Sequence, residues 1–102
     1  MQTDLALANG GCLRANSVIK KGPVKLRFLT EILPMEDYVV KIGISGKLFI
    51  EALENGFSRY PSYDGRWPII SGIKFKFDPN KNPGERILKE SITFDDGSPF
   101  DM

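Results

Sequence analysis

The clearest pattern of hydrophobic and polar positions lies in residues 47–60. Apolar side chains recur there every three or four residues: Leu48, Phe49, Ala52, Leu53 and Phe57. The polar side chains occupy the opposite side of a helical projection: Lys47, Glu51, Glu54 and Asn55. This spacing is typical of a helix with one buried face. Ser45 is a favourable cap for the first turn, and Pro61 ends the segment.

An alternating pattern after position 72 predicts a β-hairpin. Apolar Ile73, Phe75 and Phe77 alternate with charged residues, so one face of this strand is expected to be buried. Residues 79–84 form a wide turn, and residues 86–94 return as a second strand. Three residues of the second strand are expected on one face: Leu88, Ile92 and Phe94. Residues 95–99 then begin another turn.

Three further segments complete the predicted fold. Residues 5–8 are expected to form a short buried strand, and residues 24–33 a short helix with one buried face. Residues 38–44 are largely β-branched and apolar, which predicts an interior strand. Because strands and helices are interleaved, the order predicts an α+β fold with a mixed β-sheet and covering helices, as one domain over residues 1–102.

The predicted hairpin ends on a turn, with no following strand to pair with it. An uncovered strand edge carries unpaired N–H and C=O groups, which favour association with another chain. We therefore expect self-association through this unpaired strand edge.

Composition narrows the functional classes. The chain has 102 residues and is 41% hydrophobic, which is enough for one ordinary core. The net charge of +1 argues against a binder of nucleic acid by non-specific phosphate neutralisation. No apolar run reaches membrane-spanning length. The single cysteine, Cys12, excludes an internal disulfide and is expected to be a small buried hydrophobe.

Histidine is absent from the sequence. With one cysteine and no histidine, the chain lacks a zinc-type ligand set and a Ser-His or Cys-His nucleophilic pair. Carboxylate-only sites remain possible, but Asp95 and Asp96 precede Gly97, as is common in hairpin turns. We therefore expect no metal site and no catalytic residue in this segment, and binding is the better hypothesis.

The most suggestive motif is the sequence Asn-Gly-Gly-Cys-Leu-Arg at residues 9–14. Two glycines permit a sharp turn with exposed backbone N–H groups, and Arg14 adds a planar fork of donors. Together these groups could hold an anion. The alternative is a tight turn in which Asn9 caps local backbone and Arg14 is solvated. On this motif alone the tight turn is favoured, because short glycine motifs are unspecific.

A second candidate surface is the predicted loop of residues 61–68. Tyr60, Tyr63, Arg66 and Trp67 lie in or beside it. Aromatic and arginine residues together are typical of binding surfaces, but Trp67 beside Pro68 fits a plug in the core equally well.

Several motifs, taken in order, resemble the C-terminal domain of the 5'-nucleotidase family of metallophosphoesterases. The resemblance spans residues 3–101. Its motifs are Asn-Gly-Gly-x-Leu-Arg at 9–14, Leu-Pro-Met at 33–35, Ile-Ser-Gly at 44–46, Ala-Leu-Glu-Asn-Gly at 52–56, Ser-Gly-Ile at 71–73, Phe-Asp-Pro at 77–79 and Pro-Gly-Glu-Arg-Ile at 83–87. No single motif is specific, whereas the ordered set is. It favours a functional turn at residues 9–14.

The resemblance implies a division of labour between two domains. In this family an N-terminal domain holds two divalent metal ions and hydrolyses the phosphoester, while the C-terminal domain binds the nucleotide. Arg14 matches the phosphate-contacting arginine, and Asn9 matches the asparagine that contacts the nucleotide. Met35 stands where an aromatic residue often stacks on the base, and Asp37 lies where a polar residue can reach the sugar. With Gly11 of the turn, these residues form the expected substrate-binding set.

Two departures from the family pattern qualify this expectation. Met35 replaces an aromatic residue, although a polarizable Met can also cover a ring. The family's later segment, with a second stacking aromatic and a Gly-Gly-Asp-Gly loop, is absent from the sequence. We therefore expect a fragment that is inactive alone and whose partner is its own N-terminal metallophosphoesterase domain.

Three functional hypotheses remain open at this point. The first is a nucleotide-binding segment of a 5'-nucleotidase-like hydrolase in nucleotide catabolism. The second is a non-catalytic interaction module that has kept the fold and lost substrate binding. The third keeps the hydrolase but changes the substrate to cyclic nucleotides or nucleotide sugars. Family members often act outside the cytoplasm, but nothing in the sequence fixes a compartment.

Overall fold

The computed structural model describes residues 3–62 and 64–102. Their secondary structure, in chain order, is β1 (Ala6–Asn9), a single 3₁₀ turn (Gly10–Cys12), α1 (Leu26–Ile32), α2 (Gly46–Phe57), β2 (Pro68–Ser71), β3 (Ile73–Phe77) and β4 (Ile87–Phe94). None of the helices in these ranges is long and apolar enough to cross a membrane. The predicted hairpin, both helices and the strand before the glycine turn are confirmed.

The helix α2 is the centre of the core. The Ser45 hydroxyl accepts a hydrogen bond from the Leu48 N–H at 3.3 Å, which confirms the predicted cap. Phe49, Leu53 and Phe57 are buried as the spacing predicts, and Ile50 joins them. The helix ends at Phe57, before the predicted limit of residue 60.

Three positions of α2 differ from the prediction. Leu48 and Ala52 are exposed, because the packed surface covers a narrower stripe than the apolar pattern. Glu54, expected on the solvent face, is buried at 6% exposure. Its carboxylate Oε1 accepts a hydrogen bond from the Ile87 N–H at 2.6 Å, so the buried charge has a specific partner on β4.

The strands form two antiparallel pairs, β1 with β2 and β3 with β4. The α+β class is therefore confirmed, whereas the single mixed sheet is not found among residues 3–62 and 64–102. The strand β2, which no alternating pattern indicated, supplies the partner of β1. The two pairs are joined at Gly72, whose φ of +90° lies in the left-handed region that favours glycine.

The β3–β4 pair contains a bulge, which determines which residues of β4 face the core. Lys74 pairs with Thr93 and Lys76 with Leu88, so two steps along β3 match five along β4. The extra residues let Ile87 and Ile92 both enter the core, although a separation of five positions would place them on opposite faces of a regular strand. The predicted common face of Leu88, Ile92 and Phe94 was therefore wrong for Leu88, which pairs with the exposed Lys76. Phe94 pairs with the buried Ile73 and lies on the same face as Ile92, although it is itself half-buried.

Burial was predicted wrongly for the first half of the chain. All four residues of β1 are exposed, because β1 pairs with β2 but has no covering layer among the described residues. The helix α1 has no buried residue. Residues 38–44 form no strand, and their large apolar side chains are exposed: Tyr38, Val39, Val40, Ile42 and Ile44. An interior strand needs neighbours on both edges, and the described part of the chain supplies none.

Candidate functional site

The glycine turn is fixed by backbone hydrogen bonds to the loop before β2. The Gly10 N–H donates to the Trp67 carbonyl at 2.6 Å, and the Gly11 N–H donates to the Gly65 carbonyl at 2.8 Å. These N–H groups are therefore not open to an anion, contrary to the expectation of an exposed backbone cradle. The turn instead acts as a rigid support for the side chains that it carries.

Gly11 has a steric role in this contact. A Cβ at Gly11 would lie 3.0 Å from the Gly65 Cα and 3.1 Å from the Gly65 carbonyl oxygen. Both neighbours are backbone atoms, so they cannot move aside as a flexible side chain could. A side chain at position 11 would therefore push the backbone of Gly65 away by a few tenths of an ångström.

Arg14 leaves the turn with an ordered base and an open tip. Its Nε donates to the Gly11 carbonyl at 2.9 Å, and its backbone N–H donates to the Ile32 carbonyl at 2.7 Å. The side chain is exposed. Among residues 3–62 and 64–102, its terminal Nη groups have no acceptor and no carboxylate pairs with it. The guanidinium can therefore present two donor groups to an external anion.

Of the other predicted site residues, Asn9 lies in the same turn, whereas Met35 and Asp37 lie just after a residue that contacts the turn. The Asn9 side-chain Nδ2 donates to the Gly65 carbonyl at 3.1 Å. Met35 and Asp37 come three and five residues after Ile32, whose carbonyl binds the Arg14 backbone. Met35 is 50% exposed and Asp37 is also exposed. The structure thus places Asn9, Gly11 and Arg14 in one turn. Met35 and Asp37 are connected to that turn through the hydrogen bond between Arg14 and Ile32, the last residue of α1.

The loop that binds the turn contains a residue pair that the sequence did not indicate. Asp64 Oδ1 accepts hydrogen bonds from the Arg66 N–H at 2.9 Å and from Arg66 Nε at 3.0 Å. The hydrogen bond from the backbone N–H of Arg66 is the main reason why the pKa of Asp64 is lowered; desolvation opposes it, and the Arg66 side chain adds to the lowering. An aspartate directly before glycine was the available signal, because Asp side chains commonly bond the backbone two residues ahead.

Trp67 proves to be both a core contact and a surface residue. Its ring meets Phe57 edge-on at 4.9 Å between centroids and lies 5.9 Å from Tyr60. It nevertheless remains 40% exposed. Tyr63, which the sequence placed in the same candidate surface, lies outside the described residues.

A further cleft lies elsewhere on the molecule. It has a volume of about 630 Å³ and runs between α2 and the turn at Pro83 and Gly84. None of the predicted site residues lines it. Glu54 borders this cleft, and its second oxygen, Oε2, is buried without a hydrogen-bond partner among the described residues.

No metal-binding cluster is found in the described ranges. They contain no group of three or more His, Cys, Asp or Glu side chains arranged to hold an ion. Cys12 is half-buried rather than fully buried as expected.

Comparison with known proteins places this geometry in context. The family model of the 5'-nucleotidase C-terminal domain matches residues 1–102. The chain is 33% identical over 93 residues to the trifunctional nucleotide phosphoesterase protein YfkN of Bacillus subtilis, covering 91% of this chain and 6% of that protein. It is 28% identical over 90 residues to a snake venom 5'-nucleotidase of Crotalus adamanteus, covering 86% of this chain and 15% of that protein.

A solved structure gives the same result. The 5'-nucleotidase precursor from Thermus thermophilus superimposes with a TM-score of 0.77 and 32% identity, over 97% of this chain and 19% of that one. The chain therefore spans less than a fifth of each of these proteins. Since the family model covers every residue and the fold agrees, this chain belongs to the 5'-nucleotidase C-terminal domain family.

Proposed function

We propose that this chain is the nucleotide-binding segment of a metal-dependent, 5'-nucleotidase-like phosphoester hydrolase. One observation carries the proposal. Arg14 is fixed at its base by the Nε bond to the Gly11 carbonyl, while its terminal amino groups face outward without an acceptor in the described ranges. An arginine preorganised in this way binds a phosphate with little loss of side-chain entropy.

Each residue of the proposed site has a separate task. Arg14 binds the phosphate through charge-assisted hydrogen bonds. Asn9 contacts the sugar or the base, and Met35 covers one face of the base. Asp37 accepts a hydrogen bond from a sugar hydroxyl. Gly11 contributes by its close contact with Gly65, which fixes the turn.

The described residues do not fit a metal site, so the proposal assigns no step of the hydrolysis to them. The chain binds and orients the substrate, and the catalytic partner would be a metallophosphoesterase domain of the same protein. In line with this division, the 102-residue chain alone is expected to be inactive. The names of the relatives, a 5'-nucleotidase and a nucleotide phosphoesterase, support nucleotides as the substrate class.

The test is calorimetric titration of the intact protein with a non-hydrolysable phosphonate analogue of AMP. Charge-assisted hydrogen bonds contribute about 1.5–3 kcal/mol each. Arg14→Ala is therefore expected to weaken binding about ten- to hundredfold. Arg14→Lys should restore part of the affinity, because a point charge cannot reproduce the planar fork.

Lys76→Ala is the matched control. It also removes one positive charge, but Lys76 is exposed on β3, in the other sheet. Its affinity should equal that of the unsubstituted protein. Equal affinities for Arg14→Ala and the control would contradict the site and favour an interaction module without substrate binding. Parallel titrations with a cyclic nucleotide and a nucleotide sugar would identify the preferred substrate.

A further inference from the structure

A four-residue loop lies directly behind the candidate site. We call residues 64–67 the support loop. Its Gly65 carbonyl accepts hydrogen bonds from the Gly11 N–H at 2.8 Å and from Asn9 Nδ2 at 3.1 Å. Its Trp67 carbonyl accepts a third bond, from the Gly10 N–H at 2.6 Å. The backbone N–H groups of Gly10 and Gly11 and the side chain of Asn9 are thus all bound to the support loop.

The support loop is itself fixed in two directions. Asp64 Oδ1 accepts both the N–H and the Nε of Arg66, which closes the loop around Gly65. Arg66 Nη1 also lies 3.5 Å from Asn55 Oδ1 and 3.5 Å from Ser58 Oγ, at the end of α2. Because α2 is the most buried element, these contacts connect the turn to the rigid part of the fold.

The contact with Gly65 determines how the Asn9 amide is oriented. A carbonyl oxygen can only accept a hydrogen bond, so the Asn9 group that faces it must be the NH₂. The other group, Oδ1, is an acceptor, and no described residue donates to it. Asn9 therefore offers an external ligand a hydrogen-bond acceptor on the same turn on which Arg14 offers a positive charge.

We infer that the support loop is the positioning element of the site, with Asp64 and Arg66 as its positioning residues, and that it sets Asn9 as an acceptor for the ligand. This inference rests on the proposed function. The matching ligand carries an anion for Arg14 and an O–H or N–H donor for Asn9 Oδ1. A nucleoside monophosphate has both, since the sugar hydroxyls and the amino group of adenine are donors.

Asp64→Ala tests the positioning role, and the chain offers a closely matched control. Asp96 makes the same kind of turn, in which its Oδ1 accepts the Ser98 N–H and hydroxyl, but it lies in the turn after β4. Asp64→Asn keeps an acceptor for the Arg66 N–H and serves as the conservative variant. All variants are made in the intact protein.

Two quantities are measured. Hydrogen–deuterium exchange of the peptide that contains Gly10 and Gly11 reports whether the support loop still holds the turn. Calorimetry with the AMP phosphonate analogue reports binding. Asp64→Ala should accelerate the exchange and weaken binding about three- to tenfold, because a site that is less preorganised binds less tightly. Asp64→Asn should lose less than about threefold, and Asp96→Ala should change neither quantity.

The ligand arm distinguishes the two donors. An analogue with unsubstituted purine as its base lacks the amino group without gaining another donor on that edge, and a 2'-deoxy analogue lacks one sugar hydroxyl. For each protein, the affinity for such an analogue is compared with the affinity for the AMP phosphonate analogue. The donor that Asn9 binds should matter less in Asp64→Ala than in the unsubstituted protein, because Asn9 is no longer oriented toward it. Equal losses in both proteins for both analogues would contradict the assignment of Asn9.

Failure of this inference can be told from failure of the proposed function. If the unsubstituted protein does not bind the analogue, the proposed function is wrong, and the inferred ligand acceptor is wrong with it. The exchange measurement then still decides whether the support loop positions the turn. If the unsubstituted protein binds and Asp64→Ala leaves both exchange and affinity unchanged, the positioning role is contradicted while the proposed function stands.

Discussion

At the scale of single residues, the decisive contact is between two glycines. The Gly11 and Gly65 backbones approach so closely that a Cβ on Gly11 would have to displace the support loop. The relation is not symmetric. A Cβ on Gly65 would lie 3.4 Å from the Gly11 Cα, an ordinary van der Waals distance. The turn therefore depends on glycine at position 11 more than at position 65.

This asymmetry predicts different costs for two alanine substitutions. Gly11→Ala should lower the free energy of unfolding by about 1–3 kcal/mol, because overpacking against backbone forces a shift. Gly43→Ala, where a Cβ would meet no atom within 4 Å, is the control and should change stability little. Urea unfolding followed by the fluorescence of Trp67, the single tryptophan of the chain, measures both. Equal free energies of unfolding for Gly11→Ala and Gly43→Ala would show that the support loop can shift at little cost.

At the scale of elements, two buried charged residues form hydrogen bonds between α2 and the beginning of β4. Glu54 accepts the Ile87 N–H, and Arg86 Nη1 donates to the Phe57 carbonyl at the end of α2. Arg86 Nε also donates to the Lys81 carbonyl at 3.1 Å. Arg86 is thus bound to two carbonyls and is only 7% exposed. Arg86 therefore stabilises the fold, and its replacement is expected to lower the free energy of unfolding more than it changes ligand affinity.

Glu54→Ala should weaken the connection between α2 and β4. It leaves the Ile87 N–H buried without its acceptor, which costs about 1–3 kcal/mol. Glu54→Gln keeps a carbonyl oxygen for that N–H and should cost less. Glu51→Ala, on the exposed side of the same helix, should stay within about 0.5 kcal/mol of the unsubstituted chain. The same urea titrations compare all three, and a loss for Glu51→Ala as large as that for Glu54→Ala would refute the specific role of Glu54.

At the scale of the whole molecule, burial is concentrated from α2 onward. Among residues 3–62 and 64–102, the seven buried hydrophobic side chains all lie between positions 49 and 92. In the first half, residues 38–44 expose a run of β-branched side chains, with Val39 at 86% and Val40 at 71% exposure. Such a surface favours association with other apolar surfaces. In the described part of the chain, the β3–β4 sheet has two strands, and apart from the bridge between Thr93 and Pro99 no further strand covers its outer edges.

The 102-residue chain made alone is therefore expected to self-associate at micromolar concentration. Light scattering coupled to size exclusion measures the mass directly. Replacing Val40 and Ile42 together by lysine should shift the chain toward monomer. Glu51→Lys changes the net charge by the same two units on the exposed side of α2 and should not. Association that persists in the double variant assigns the contact to the hairpin edges, and a monomeric unsubstituted chain contradicts the prediction.

The sequence alone was sufficient where structure depends on neighbours along the chain. The 3.6-residue spacing predicted α2, the two-residue spacing predicted β3 and β4, and Ser45 predicted the cap. The ordered motifs also identified the family. The proximity of Asn9, Gly11 and Arg14 followed because they belong to one turn. The roles proposed for them await the binding measurements.

Only the tertiary structure decided what depends on partners distant in sequence. Exposure of β1, α1 and residues 38–44 could not be predicted, because burial needs a covering layer that no local pattern specifies. The pairing of β1 with β2, the burial of Glu54 and the bulge in β4 have the same origin. So does the contact of Gly65 with the glycine turn, across more than fifty residues of chain. The sequence determined which residues could form a site, and folding determined which of their hydrogen-bonding groups remain available to a ligand.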